Sequence, residues 1–165
     1  MESDRLFILK ALSAHLQTIR KDNGYLTDIN KIVRGQSKYS GSGDLPVICL
    51  VDAPAQGDRD QAGDGPDYKE DWELLAIGYV KGDVKNPGDA AYNFAADTRR
   101  ALAQLQDKAH DNYLLGLETH ISKIKHGPGI VRPPDEATEY SFFLINLTLS
   151  VVGDEENPYI ETGAN

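Results

Sequence analysis

The sequence predicts an α+β fold in which two main helices pack on a mostly antiparallel sheet of about five strands. Two segments have the apolar spacing of helices, and several shorter segments have the apolar alternation of strands. A chain of 165 residues is long enough to bury a sizeable core in one domain. We therefore expect a single domain over residues 1–153, with a flexible acidic loop at 54–71 and an acidic C-terminal tail at 154–165.

The first predicted helix spans Asp4 to Lys21. Its apolar residues recur at spacings of three and four, which predicts a face turned to the core: Leu9, Leu12, Leu16 and Ile19. Ser3 is a suitable N-cap, and Asn23-Gly24 supplies the left-handed residue that ends a helix.

Two strands follow, at 31–39 and 45–53, and the Gly-rich loop between them predicts a hairpin. Residues 54–71 are rich in Gly, Pro and acids and have no apolar face, so we expect a long exposed excursion there. Residues 72–81 return to a strand that is apolar on both sides.

In the second half of the chain, Asn86-Pro87 opens the second helix, because a proline is harmless in the first turn. A strand is predicted at 117–125. The final strand, 140–153, is the most regular element, and its alternate residues form one apolar face: Phe143, Ile145, Leu147, Leu149 and Val151. Its early half is apolar on the opposite side too, which predicts contact with a helix or another subunit.

The net charge of −9 is concentrated in two segments. Loop 54–71 and tail 154–165 each carry −4, so the remaining body is nearly neutral. A net-acidic chain without a basic run is a poor candidate for binding nucleic acid. No apolar run approaches the ~20 residues that a membrane span needs. Cys49, the single cysteine, lies in an apolar run and is expected to be a buried hydrophobe rather than a nucleophile.

Motifs for catalysis or metal binding are absent from the sequence. The four histidines have no metal-ligand spacing, the glycines at 41–43 lead into a strand rather than a helix, and the acids at 58–67 lack a calcium-loop pattern. We therefore expect no enzyme activity, no cofactor and no metal. Six basic residues would form one basic face if the first and fourth strands were neighbours: Lys31, Arg34, Lys38, Lys123, Lys125 and Arg132.

A short motif, G-Y-x-T-D followed by V-x-x-G, comes after the first amphipathic segment. Its positions are Gly24, Tyr25, Thr27, Asp28, Val33 and Gly35. Together with the order of the later segments LPVICLVDA, WELLAIGYVKG, NPGDAAYNFAADTRRALAQL and YSFFLINLTLSVV, the chain resembles the tail terminator (tail completion) proteins of tailed bacteriophages, the family of minor tail protein U. The insert at 54–71 departs from that pattern.

The resemblance implies a subunit of a virion ring, hexameric in this family, that caps the head-proximal end of the tail tube. Such a ring stops tube polymerisation and provides the surface for head joining. The implied partners are other copies, the major tail-tube protein and the head–tail connector protein, while DNA passes through the lumen without specific binding and no membrane is involved. Assembly would take place in the cytoplasm of the bacterial host. The candidate residues for a subunit or tube interface are Arg34, Lys38, Tyr140 and Phe142.

Three other interpretations stay open at this point. The chain could be a head–tail connector or neck protein on the portal side. It could be a small enzyme or metal-binding domain that uses His120, His126 and the acidic loop. It could also be a small monomeric adaptor.

Overall fold

The structure, a computed structural model, describes residues 1–39, 43–61, 65–135 and 139–162. Two α-helices are present, α1 (Asp4–Leu16) and α2 (Asp89–Gln104), with 3-10 turns at Lys21–Asn23 and Tyr113–Gly116. The strands are β1 (Glu2–Ser3), β2 (Lys31–Arg34), β3 (Val47–Asp52), β4 (Arg59–Gln61), β5 (Asp67–Val80), β6 (Ile121–His126), β7 (Ile130–Arg132), β8 (Ser141–Asp154) and β9 (Tyr159–Ile160).

The main sheet is mixed and has seven strands, in the order β2-β3-β5-β8-β6, with β4 beside the start of β5 and β7 beside the start of β8. The α+β class with two helices is confirmed. The expected number of about five strands is wrong, because β4 and β7 add to the sheet. The sheet is mostly antiparallel as expected, and among the described residues the exception is β2, which runs parallel to β3.

The predicted hairpin at 31–53 is therefore also wrong. Gly35 adopts a φ of +81° and ends β2 at Arg34, and the chain then returns to start β3 in the same direction. Asp44 closes this connection by accepting hydrogen bonds from Lys31 Nζ at 3.1 Å and from the Tyr39 hydroxyl at 2.7 Å. Residues 40–42 lie outside the described residues. A parallel pair needs a longer crossover than a hairpin loop provides.

The centre of the sheet is the antiparallel ladder between β5 and β8, which runs without interruption from the pair Asp67–Asp154 to the pair Val80–Ser141. β5 thus begins five residues earlier than the predicted strand at 72–81.

The predicted excursion at 54–71 contains a hairpin, in which β4 pairs with the start of β5. Residues 62–64 between the two strands lie outside the described residues. Arg59 stabilises the pairing, since its guanidinium forms ion pairs with Glu70 and Glu155 and lies 4.0 Å from the centre of the Tyr68 ring. Because Glu155 is far away in the sequence, composition alone did not indicate this strand.

Several helices and strands begin or end at other residues than predicted, because short turns form there. α1 stops at Leu16, and Gly24, at φ +84°, ends a separate 3-10 turn instead. α2 begins at Asp89, two residues after Pro87. The strand expected at 117–125 starts at Ile121, and β7 was not predicted.

The C-terminal segment is tied to the N-terminus. β9 pairs antiparallel with β1, the Asp4 amide donates to the Pro158 carbonyl at 3.0 Å, and the Met1 amino group lies 3.2 Å from Thr162 Oγ1. Ser3 caps α1 as predicted, its hydroxyl accepting from the Leu6 amide at 3.3 Å. Residues 163–165 of the predicted tail lie outside the described residues.

Both helices pack on one face of the sheet, and the main core lies between the two layers. The predicted apolar face of β8 is confirmed, since all five of its residues are at most 3 % exposed. Phe143 meets Phe94 of α2 edge to face, with ring centres 5.0 Å apart. Gly78 makes room for this pair, because a Cβ at that position would lie 2.0 Å from the Phe143 ring.

Replacing Leu147, which is fully buried, by Asp should prevent folding. An unpaired carboxylate in the core costs several kcal/mol, on the order of the whole stability of a domain. Asn146→Asp, at an exposed position of the same strand, is the matched control and should melt like the wild type. Circular dichroism melts compare the three proteins, and a Leu147→Asp protein with a native melting curve would show that this face is not the core.

Candidate functional site

The face of the sheet opposite the helices carries a second apolar cluster. Its centre is formed by Val47, Cys49, Ile77 and Tyr79, which are at most 5 % exposed. Half-buried apolar side chains surround them: Val33, Tyr39, Leu45, Val51, Leu75, Tyr140, Phe142 and Leu144. Neither helix of the described residues lies on this side. We call it the open face.

A groove of about 240 Å³ crosses the apolar half of the open face. Phe142 and Tyr79 form one wall, with ring centres 5.7 Å apart. The Tyr79 hydroxyl donates to the Ser37 carbonyl at 2.8 Å, so the segment after β2 folds over the sheet there. Burial raises the pKa of Tyr79, and the hydroxyl therefore stays protonated and able to donate. Lys38 and Asp135 bring opposite charges to the groove lining.

Three of the four candidate interface residues lie on the open face. Lys38 and Phe142 line the groove, and Tyr140 packs against the same apolar cluster. Arg34 lies on the other side of the sheet, where its guanidinium is 3.5 Å from the hydroxyl of Ser13 in α1. Since Val33 packs against the open-face cluster, alternation along β2 directs Arg34 to the helices. The structure therefore does not bring Arg34 together with the other three.

The half of the open face nearer the β4–β5 hairpin is polar. On β8, the Ser150 hydroxyl donates to Asp71 at 2.6 Å and the Thr148 hydroxyl donates to Glu73 at 2.7 Å. Lys123 and Lys125 of β6 pair with these two β8 positions from the other side. In each of these two rows across the sheet, β6 supplies a lysine, β8 a hydroxyl and β5 a carboxylate.

The first part of the G-Y-x-T-D motif attaches the segment after α1 to one side of α2. Tyr25 is buried, its hydroxyl lies 3.2 Å from Gln104 Oε1, and the Arg100 guanidinium covers its ring at 4.7 Å. Arg100 also donates to the Gly24 carbonyl at 2.6 Å. The left-handed Gly24 presents that carbonyl, so this part of the motif has a structural role.

Asp97 completes the attachment and was not singled out from the sequence. It is 4 % exposed, and both of its carboxylate oxygens lie 3.1 Å from the Leu26 amide. The available signal was its position between Phe94 and Ala101, on the apolar side of the second helix.

The other motif residues shape the turn into the sheet. The Asp28 carboxylate accepts from the Lys21 amide at 2.7 Å, Thr27 borders a shallow pocket beside Asn93, and Val33 packs on the open face. The Gly35 amide donates to the Leu50 carbonyl at 3.0 Å. These contacts fix the entry and exit of β2.

His15 is a second buried polar residue that joins three segments. Its Nε2 lies 2.7 Å from the Ala101 carbonyl and must donate to it, while its Nδ1 accepts from the Asn112 amide group at 2.7 Å. The ring of His110 stands edge-on at 6.4 Å. Burial lowers the pKa of His15, and His110 lowers it further. The hydrogen bond to the Ala101 carbonyl raises the pKa, but this effect is smaller than that of burial.

The cysteine and the two histidines considered for chemistry lie in separate parts of the fold. Burial raises the pKa of the Cys49 thiol to about 11, which agrees with its interpretation as a buried hydrophobe. His120 and His126 lie at opposite ends of β6, His120 beside Thr119 and His126 beside Gln106. No group of three or more His, Cys, Asp or Glu side chains within the described ranges is placed to hold a metal ion.

The six basic residues do not form one face. β2 and β6 occupy opposite edges of the strand order, so Lys31 and Lys125 are separated by the width of the sheet. Lys31 is also paired with Asp44 at 3.1 Å.

Comparison with models of protein families and with curated proteins finds no match to this chain. In the part of the chain that the structure describes, no helix is long and apolar enough to cross a membrane.

His15 makes the stability depend on pH in a defined direction. Because its pKa is lowered by folding, the unfolded chain takes up a proton first as the pH falls below about 6.5, and stability is lost in that range. His15→Gln does not titrate, so the difference in melting temperature between wild type and variant should shrink or reverse from pH 7.5 to pH 5.5. A difference that is constant over this range would contradict the assignment.

Removing the Asp97 carboxylate should release the segment around Leu26, which follows the first part of the G-Y-x-T-D motif, from α2. Asp97→Ala leaves the Leu26 amide without its acceptor, at a cost of about 1–3 kcal/mol, whereas Asp97→Asn keeps one acceptor oxygen and should lose less. Urea denaturation gives the free energies of unfolding. Equal stability of Asp97→Ala and wild type would show that the contact does not stabilise the fold.

Proposed function

We propose that this chain is a structural subunit of a bacteriophage tail, a ring-forming tail terminator that caps the head-proximal end of the tail tube. The observation that carries the proposal is the open face: a sheet whose apolar side is left uncovered by the chain's own helices. Half-buried apolar and aromatic side chains on a sheet face that neither helix covers favour contact with another protein. The resemblance of the sequence to tail terminator proteins indicates which contact that would be.

The surface composition is that of a contact with another protein rather than a deep ligand site. Phe142 and Tyr140 offer large, half-buried aromatic surfaces, and such residues supply much of the binding free energy at interfaces. Lys38 and Asp135 add one charge of each sign at the groove, which favours a partner with the complementary arrangement.

Termination in this proposal requires shape complementarity only. One side of the ring would match the end of the tail tube, while the other side would not accept a further tube subunit, so growth stops. The second side is then free to receive the head–tail connector protein. Copies joined head to tail by two different surfaces close into a ring when the rotation between them is right.

The acidic C-terminal segment supports the passage of DNA without binding. Glu156 and Glu161 are exposed, and carboxylates near a DNA path would repel the phosphates. In the proposed ring, we therefore expect this segment to face the lumen.

Replacing Phe142 by Ser tests the open face. Phe142→Ser should weaken association with copies or with the tube protein by about tenfold or more, because it removes an aromatic contact of about 1–3 kcal/mol. Tyr92→Ser is the matched control, since Tyr92 is 65 % exposed on α2, and it should associate normally.

Sedimentation velocity over a range of concentrations measures self-association, and co-sedimentation with the tail-tube protein of the same phage measures binding to tubes. We expect added wild-type protein to shorten tubes that polymerise in its presence. A protein that binds the portal-side connector but leaves tube length unchanged would instead be a neck protein. A protein that remains monomeric and binds neither partner would contradict the proposal.

A further inference from the structure

In the half of the main sheet that contains the β4–β5 hairpin, both edge strands lack a second strand partner within the described residues. In one half of the sheet the strand order is β4-β5-β8-β6, and within the described residues β4 pairs only with β5 and β6 pairs only with β8. Each outer side therefore presents backbone N–H and C=O groups to another strand, and natural proteins normally block such edges.

The two edges lie level with each other across the sheet. Arg59 of β4 pairs with Glu70, Glu70 pairs with Val151, and Val151 pairs with Ile121 of β6. Because all three pairings are antiparallel, β4 and β6 run in opposite directions. A second copy in the same orientation would therefore place its β4 antiparallel to β6 of the first, continuing the alternation.

The charges on the two edges are opposite. Ile124 packs in the core beneath the helices, so alternation turns the exposed Lys123 and Lys125 of β6 toward the open face. On the other edge, Arg59 pairs with Glu70, which also pairs with Arg5 of α1, so Arg59 is on the helix side.

Asp60 follows Arg59 in β4, and alternation therefore directs Asp60 to the open face as well. Asp58 precedes the strand, and both carboxylates are exposed. Since Arg59 is held by Glu70 and Glu155, this edge presents acid where the β6 edge presents base.

We propose that β4 of one copy pairs antiparallel with β6 of the next, shifted by two residues from the level position, so that Asp60 lies against Lys123 and Asp58 against Lys125 and the sheet continues from subunit to subunit. This inference rests on the proposed function, because it names the contact that would close the ring. The charges also select the partner edge. Pairing β6 with β6 would bring lysines together, and pairing β4 with β4 would bring aspartates together, so both would repel. Pairing β4 with β6 brings opposite charges together and is attractive. Unlike edges give the head-to-tail contact that rings require.

Charge exchange tests the pairing. The double variants Asp58→Lys/Asp60→Lys and Lys123→Glu/Lys125→Glu should each weaken self-association by about tenfold or more, because like charges then meet. The quadruple variant restores opposite charges and should associate within about threefold of wild type. Lys81→Glu/Lys85→Glu, at two exposed positions after β5, is the matched control and should associate like wild type.

Sedimentation velocity of all five proteins, alone and with tail-tube protein, measures the association. An equimolar mixture of the two double variants should also assemble, since one has two acidic edges and the other two basic edges. Zero-length carbodiimide cross-linking of mixed 14N- and 15N-labelled wild-type protein should join Asp58 or Asp60 of one copy to Lys123 or Lys125 of another.

The outcomes separate the inference from the proposed function. If wild type assembles but the double variants assemble equally well, or the quadruple variant fails to recover, the edge pairing is wrong while the ring-forming function stands. If wild type stays monomeric at every concentration, with and without tubes, both are wrong. Recovery in the quadruple variant together with the intermolecular cross-links supports both.

Discussion

The antiparallel ladder between β5 and β8 holds the main sheet together and gives the helices their packing surface. It joins Asp67–Val80 to Ser141–Asp154 along their whole lengths, and every other strand of the main sheet attaches directly or through β3 to one of the two. The core residues of both helices pack on one side of this ladder. Its length also explains the acidic hairpin, because the first residues of β5 give β4 a strand to pair with.

The two sides of the ladder have different surroundings. Alternation places Leu147 and Ala76 under the helices and Phe142 and Tyr79 on the open face. The chain has two α-helices in its described part, and both are used on one side. The open face is consequently left with half-buried aromatic residues at one end and rows of hydroxyl, carboxylate and lysine side chains at the other. In the proposed ring, the sheet would supply the surfaces for a partner, and the helices would support that sheet.

Sequence patterns predict those features of the fold that depend on local periodicity. The apolar face of β8 and the burial of Cys49 follow from residues that are close in the chain. The parallel direction of β2 could not be predicted, because a Gly-rich connection fits a hairpin equally well. β4 depends on Arg59 meeting Glu155, which lies far away in the sequence. Of the candidate site, Lys38, Tyr140 and Phe142 lie on one face, while Arg34 lies on the other. The face that Arg34 takes depends on the register of a four-residue strand, which the sequence does not determine. Asp97 and His15 act through contacts between segments. The helical pattern places Asp97 on the buried side of α2, but it does not reveal the Leu26 amide as its partner.

Hydrogen–deuterium exchange, compared between dilute monomer and assembled protein, tests most directly whether the sheet is the surface for assembly. We expect slower exchange on assembly in Arg59–Gln61, in Ile121–His126 and in the segment after β2 that carries Lys38. Exchange in α1 and α2 should stay unchanged, since the helices cover only their own side of the sheet. Protection that appears on the helices while these sheet segments exchange as before would show that the sheet is not the surface for assembly.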